Sequence, residues 1–275
     1  MHFRTQFVAA IAMMSLVLGS VPTASVRALS IEPLVEPRDL IRGESFSAVY
    51  YYGEDGFRYV FPNEKTYSTW YRDFDDVETI SDAELAMIQL GGNVTYNPGS
   101  KMVKINSDPK TYYVSFNGTL RWVASEEVAE AMYGSSWNTK IDDIPDGFFT
   151  NYTIGEPIES LDDMDEAWCA GDPTELCAIY TISEDKNLSL FESVVIEDMS
   201  FGSELTIRAG QTVKWTNKDS VNHTATADDN SWGTGTIKPD GAFVRRFDEP
   251  GTYTYFCSYH PEMTGTIVVE EALTM

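Results

Sequence analysis

From residue 190 to 271 apolar and polar positions alternate in short runs, at 194–197, 204–207, 212–217, 224–227, 242–247, 252–257 and 266–269, separated by Gly, Asp, Asn or Pro turns. A period of two sends successive side chains to opposite faces of an extended strand, so the pattern predicts an antiparallel β-sandwich or barrel. In the run 252–257, alternation places Tyr253, Tyr255 and Cys257 on one face and turns the thiol inward. Residues 43–154 read differently. Aromatic-rich runs at 47–52, 57–61, 102–105, 112–116 and 120–123 predict strands. Helices are predicted at 82–90 and 126–132, the first opened by Ser81 with Glu84 three positions on. The fold class expected is mainly β: a C-terminal sandwich or barrel, and a separate α+β module ahead of it.

That first module carries a hint of duplication. Gly56-Phe57-Arg58-Tyr59-Val60 resembles Gly118-Thr119-Leu120-Arg121-Trp122-Val123 about 63 residues later, and each is followed by an acidic stretch and a tryptophan, Trp70 or Trp137. Between the modules, residues 155–189 hold ten acids and one lysine. Too few apolar side chains are present there for a core, so an extended acidic connector is expected. Residues 1–28 read as a secretory signal: Arg4, an apolar run at 7–18 too short to span a bilayer, and Ala28 at the cut. The mature protein is therefore expected in the periplasm or at the cell exterior, with no integral membrane span once the signal is removed.

Export changes the reading of the cysteines. Cys169 and Cys177 stand eight positions apart, and in an oxidising compartment they are expected to form a local disulfide. Closing so short a loop contributes about 2.5 kcal/mol. The net charge of −24 repels nucleic acid and anionic membrane and favours a basic partner or one with an apolar docking patch. Residues 43–154 contain neither His nor Cys, which removes imidazole- and thiol-based nucleophilic catalysis from that module.

The densest chemistry lies at Cys257-Ser258-Tyr259-His260-Pro261-Glu262-Met263, between two β-branched and aromatic runs. A thiolate, an imidazole and a thioether at this spacing converge from one tight loop, and soft sulfur with imidazole selects copper or zinc. Three histidines exist in the chain. His2 falls in the leader, which leaves His223, after the run 212–217, as the second imidazole.

The loop, with Gly251-Thr252-Tyr253-Thr254-Tyr255 before it and Gly265-Thr266-Ile267-Val268-Val269-Glu270 after it, resembles the cupredoxin (type 1 blue copper) family over residues 194–270, and within it the amicyanin type; plastocyanins space the methionine further away. The resemblance implies a Greek-key barrel holding one copper ion. It further implies His223, Cys257 and His260 as equatorial ligands and Met263 as the axial one, with His260 as electron-transfer port and Tyr259 and Pro261 as docking rim. Asn222 and Thr224 depart from the Pro and Asn that flank the first histidine in amicyanins, and Thr224 is expected to replace that Asn in tying the ligand strand to the cysteine loop. The function implied is outer-sphere transfer of single electrons between redox proteins, not enzymatic turnover, because no further histidines remain for additional copper centres. Copper storage or delivery, or a surface protein using the domain as scaffold, would use the same residues.

Overall fold

A computed structural model describes residues 35–164 and 181–272; the expected leader 1–28 and the pair Cys169 and Cys177 lie outside the described residues. Three strands, β1 (Leu40–Gly43), β2 (Tyr50–Tyr52) and β3 (Arg58–Val60), form an antiparallel meander. Helix α1 (Glu64–Trp70) leads to β4 (Val77–Ile80), and α2 (Asp82–Met87) leads to β5 (Leu90–Asn93). β4 pairs with β1 and β5 with β3, both parallel, giving the order β4-β1-β2-β3-β5.

A second sheet follows the same plan. The meander β6 (Met102–Ile105), β7 (Asp108–Ser115) and β8 (Thr119–Trp122) is followed by α3 (Glu126–Tyr133), β9 (Ile141–Asp143), α4 (Asp146–Phe149) and β10 (Thr153–Ile154). β9 pairs parallel with β6 and β10 with β8, in the order β10-β8-β7-β6-β9. The registers recur too: Leu40 faces Tyr51 as Met102 faces Tyr113, and Tyr50 faces Val60 as Tyr112 faces Trp122. These equivalences run at a spacing of 62 residues, one less than the match of Arg58 with Arg121 suggests.

Short polar side chains start the helices. Asn63 accepts from the Thr66 amide, Ser125 from the Val128 amide, and Ser81 with Glu84 forms the complete capping box expected. Each such cap is worth about 1 kcal/mol.

The acidic segment 155–189 is packed at both of its described ends. Ile158 is fully buried beside Tyr113 and Met132, and α5 (Ile182–Asp185) seats Ile182 among Leu40, Tyr51 and Tyr59. At those described ends the segment lends Ile158 and Ile182 to the core of the module before it. Polar contacts fix the seat: Tyr51 Oη and Ser183 Oγ lie 2.8 Å apart, and the Asn117 amide donates to Asp185 Oδ1 at 2.9 Å.

Asp185 is 3% exposed, its Oδ2 has no partner among the described residues, and burial pushes its carboxyl up to about 6. A carboxyl whose folded pKa is raised binds its proton more tightly when folded. Its contribution therefore favours folding below about pH 4 and is lost as pH rises to about 6, by about 2–3 kcal/mol in all. Asp185→Asn is expected to flatten that slope, read as melting temperature by circular dichroism from pH 4 to 8; a slope equal to the parent's would refute it.

The C-terminal domain has two sheets around one core. β11 (Glu192–Ile196), β12 (Leu205–Arg208), β13 (Gln211–Asn217), β14 (Thr226–Ala227), β15 (Ala242–Phe247), β16 (Gly251–Phe256) and β17 (Thr264–Glu270) assemble as β11-β13-β15 and β12-β17-β16-β14. Alternation buries Trp215, Phe247, Tyr255 and Ile267 between the sheets, with Trp215 perpendicular to Tyr255 at 5.8 Å and tilted on Trp232 at 5.9 Å. Gly265 faces Tyr255 across β16 and β17, where any β-carbon would collide with the tyrosine ring. The α+β module reaches the free edge of β15, where Gln89 Oε1 accepts from the Val244 amide at 2.7 Å. Among the described residues no helix is long and apolar enough to cross a membrane.

Candidate metal centre

β13 ends at Asn217, and its buried side chain builds the turn that follows. Asn217 Nδ2 donates to the carbonyls of Val221 (2.8 Å) and Ile237 (2.9 Å), while Oδ1 accepts from the Asp219 amide at 2.9 Å. The turn delivers His223 into a two-way backbone bridge with Ile237, and there its side chain is fully buried.

Cys257 follows β16 and is equally buried, as the alternation requires. Its loop closes on itself: the His260 amide donates to the Cys257 carbonyl, the Met263 amide to the His260 carbonyl, and the Cys257 amide to the Met263 carbonyl, at 3.1, 2.9 and 3.0 Å. This folding returns His260 over Cys257. Cys257 Sγ lies 3.6 Å from Nδ1 of His223 and 3.6 Å from Nδ1 of His260, and the two Nδ1 atoms are 3.3 Å apart. A point about 2 Å from all three lies in their plane, which matches metal–imidazole and metal–thiolate bonds of about 2.0–2.3 Å. A thiolate and two imidazoles in one plane suit copper, whereas structural zinc takes four donors in a tetrahedron. Met263 is buried in the same cluster as Cys257.

Thr224 ties the two ligand segments together. Its amide donates to Cys257 Sγ at 3.3 Å, and its Oγ1 accepts from the Ser258 amide at 2.7 Å. Near the surface, His260 is half-buried, Pro261 is exposed, and Tyr259 is exposed with its hydroxyl 2.8 Å from Thr236 Oγ1.

One residue of the site was not singled out from the sequence. Asp219 Oδ2 lies 3.0 Å from His223 Nε2, and the same carboxylate accepts from the amides of Asp198 and Met199 at 2.9 and 3.0 Å. With Nδ1 facing the thiol, Nε2 carries the proton and donates to Asp219, which fixes the ring's tautomer and orientation. The available signal was its place four residues before His223, in the turn that Asn217 organises.

Comparison with known proteins agrees with this geometry. Residues 177–269 match the family model described as a cupredoxin-like domain. Amicyanin of Paracoccus versutus is 36% identical over 83 residues, 28% of this chain and 63% of that protein. Amicyanin-alpha of Methylorubrum extorquens is 37% identical over 86 residues, 28% of this chain and 70% of that protein. Plastocyanin of Scenedesmus fuscus is 33% identical over 81 residues, covering 83% of its length. The chain thus spans less than two thirds of the Paracoccus protein. The crystal structure of that amicyanin is 36% identical over 29% of this chain and 81% of its own, with a TM-score of 0.27. Cupredoxins bind one copper ion, and the His-Cys-His set present here fits it. Through its C-terminal domain, the chain belongs to the cupredoxin family.

Proposed function

We propose that this is an exported type 1 copper protein that passes single electrons between redox partners by outer-sphere transfer. The observation that carries the reading is the convergence of the Cys257 thiol with Nδ1 of His223 and His260 around one point. His223, Cys257 and His260 would hold a copper ion there, with Met263 as a further, weaker sulfur donor, and the metal would supply a one-electron couple. The chain's part is to keep those donors still. Asp219 orients His223, Thr224 restrains the thiolate through its amide, and the three backbone bonds of the 257–263 loop hold His260 in place. Donors that need not move between oxidation states keep reorganisation small.

Half-buried His260 serves as the port, with exposed Tyr259 and Pro261 as the rim on which a partner docks. A net charge of −24 selects a partner that is basic or apolar at its contact face and rejects nucleic acid. Export by the leader predicts a mature protein outside the cytoplasm that begins at Leu29, which N-terminal sequencing of the fractionated protein checks.

Adding Cu(II) to the purified protein tests the central reading. Intense blue colour with reversible voltammetry is expected; Cu(I) held too tightly to oxidise would favour storage instead, and no uptake would leave the domain a scaffold. Met263→Leu is expected to keep the colour and raise the potential, because losing a weak donor costs Cu(II) more than Cu(I). A tenfold change in that preference is about 59 mV for one electron, and a potential unchanged or lowered would contradict the axial role.

A further inference from the structure

Each sheet of the α+β module has a recess in the same place, and the copper chemistry uses neither. The first, of about 530 Å³, is walled by Phe61, Tyr67 and Phe74, with Glu64 at its rim. The second, of about 230 Å³, is walled by Trp122 and Trp137, with Glu126 at its rim. The spacing of 62 residues carries Val60 onto Trp122 and Glu64 onto Glu126; Phe74 falls on Trp137 one position later, because α3 is one residue longer than α1.

Both recesses present aromatic surface to solvent beside a carboxylate. Phe74 is 48% exposed and stacks on Tyr67 at 4.2 Å, and Trp122 is 37% exposed with Lys110 Nζ 5.0 Å from its ring centre. Neither the Glu64 nor the Glu126 carboxylate has a partner among the described residues.

We propose that the α+β module binds a neutral or amino-bearing polysaccharide, with one sugar unit lying on the exposed ring of each recess. An exposed aromatic face takes the C–H face of a pyranose, and a free carboxylate accepts from its hydroxyl or amino groups. Two like sites on one chain suit a ligand that itself repeats, because the second contact forms at high effective concentration. The net charge of −24, with a carboxylate at each rim, turns away polyanions.

The test titrates the full chain, following its tryptophan emission, to which Trp122 and Trp137 at the second recess contribute, with hexamers of N-acetylglucosamine, glucosamine and glucose, and with hexagalacturonate and hexalysine. A saturable shift with at least one of the first three, and none with the polyanion, is expected. Phe74→Ala and Trp122→Ala should each weaken binding at least tenfold, with affinity electrophoresis reading the Trp122 variant. Glu64→Gln with Glu126→Gln, at exposed positions where folding is not at stake, should weaken it as well. No shift with any of the three saccharides, tighter binding of hexagalacturonate or hexalysine, or an affinity within twofold of the parent in the Phe74/Trp122 double variant would overturn the proposal.

Discussion

Cys257→Ser is expected to yield a folded, colourless protein that has lost copper affinity by more than about 100-fold, beyond the range seen when only an outer partner of a ligand is removed. The serine is isosteric enough for the fully buried site, and its hydroxyl can still accept from the Thr224 amide that now meets the thiol at 3.3 Å. Folding therefore survives, while the soft donor that selects copper is replaced by a hard neutral one. Absorption after Cu(II) addition and metal content after dialysis read the first effect, and near-ultraviolet circular dichroism reads the second. A serine variant that stayed blue would place the thiolate elsewhere and refute the ligand assignment.

Asp219→Ala should lower copper affinity by about 10–100-fold although the residue touches no metal. Its carboxylate takes the His223 Nε2 proton and two backbone amides, so alanine frees the imidazole to turn and leaves the 198–199 turn unanchored. Both amides lie in exposed surroundings where water replaces the lost acceptor, so the stability cost stays near 1 kcal/mol, at the low end for an unmade bond. Competition titration against a copper chelator gives the affinity. Asp219→Asn keeps an oxygen toward the imidazole and is expected to recover most of the loss; affinities within twofold of the parent for both variants would deny Asp219 its positioning role.

Several C-terminal strands were legible because they bury alternate residues, as β11 buries Val194 and Ile196 and leaves Val195 between them exposed. The ligand loop was legible because its spacing is local. Much of the α+β module was not. β4, β5, β9 and β10 carry sequences such as Leu90-Gly91-Gly92-Asn93 and Ile141-Asp142-Asp143, with little strand propensity. Parallel pairing with β1, β3, β6 and β8, made by residues distant in sequence, holds them in place. α1 hides for a related reason: Thr66, Tyr67, Ser68, Thr69 and Trp70 are middling helix formers, and it is the packing of Tyr67 against Phe61 that secures them. Asp219 escaped because an aspartate in a polar turn looks like solvated surface until the buried imidazole beside it is placed.

The bond from Val244 to Gln89 bears on how the copper domain behaves if cut loose. Among the described residues β15 has a strand neighbour on one side only, β13, and on the other the α+β module occupies one of its outward amides. An excised domain beginning near residue 190 would offer that strand bare to other copies of itself, an invitation to edge-to-edge polymerisation that natural sheets take care to block. The front half of the chain thus also covers part of an edge along which copper-domain sheets could otherwise pair.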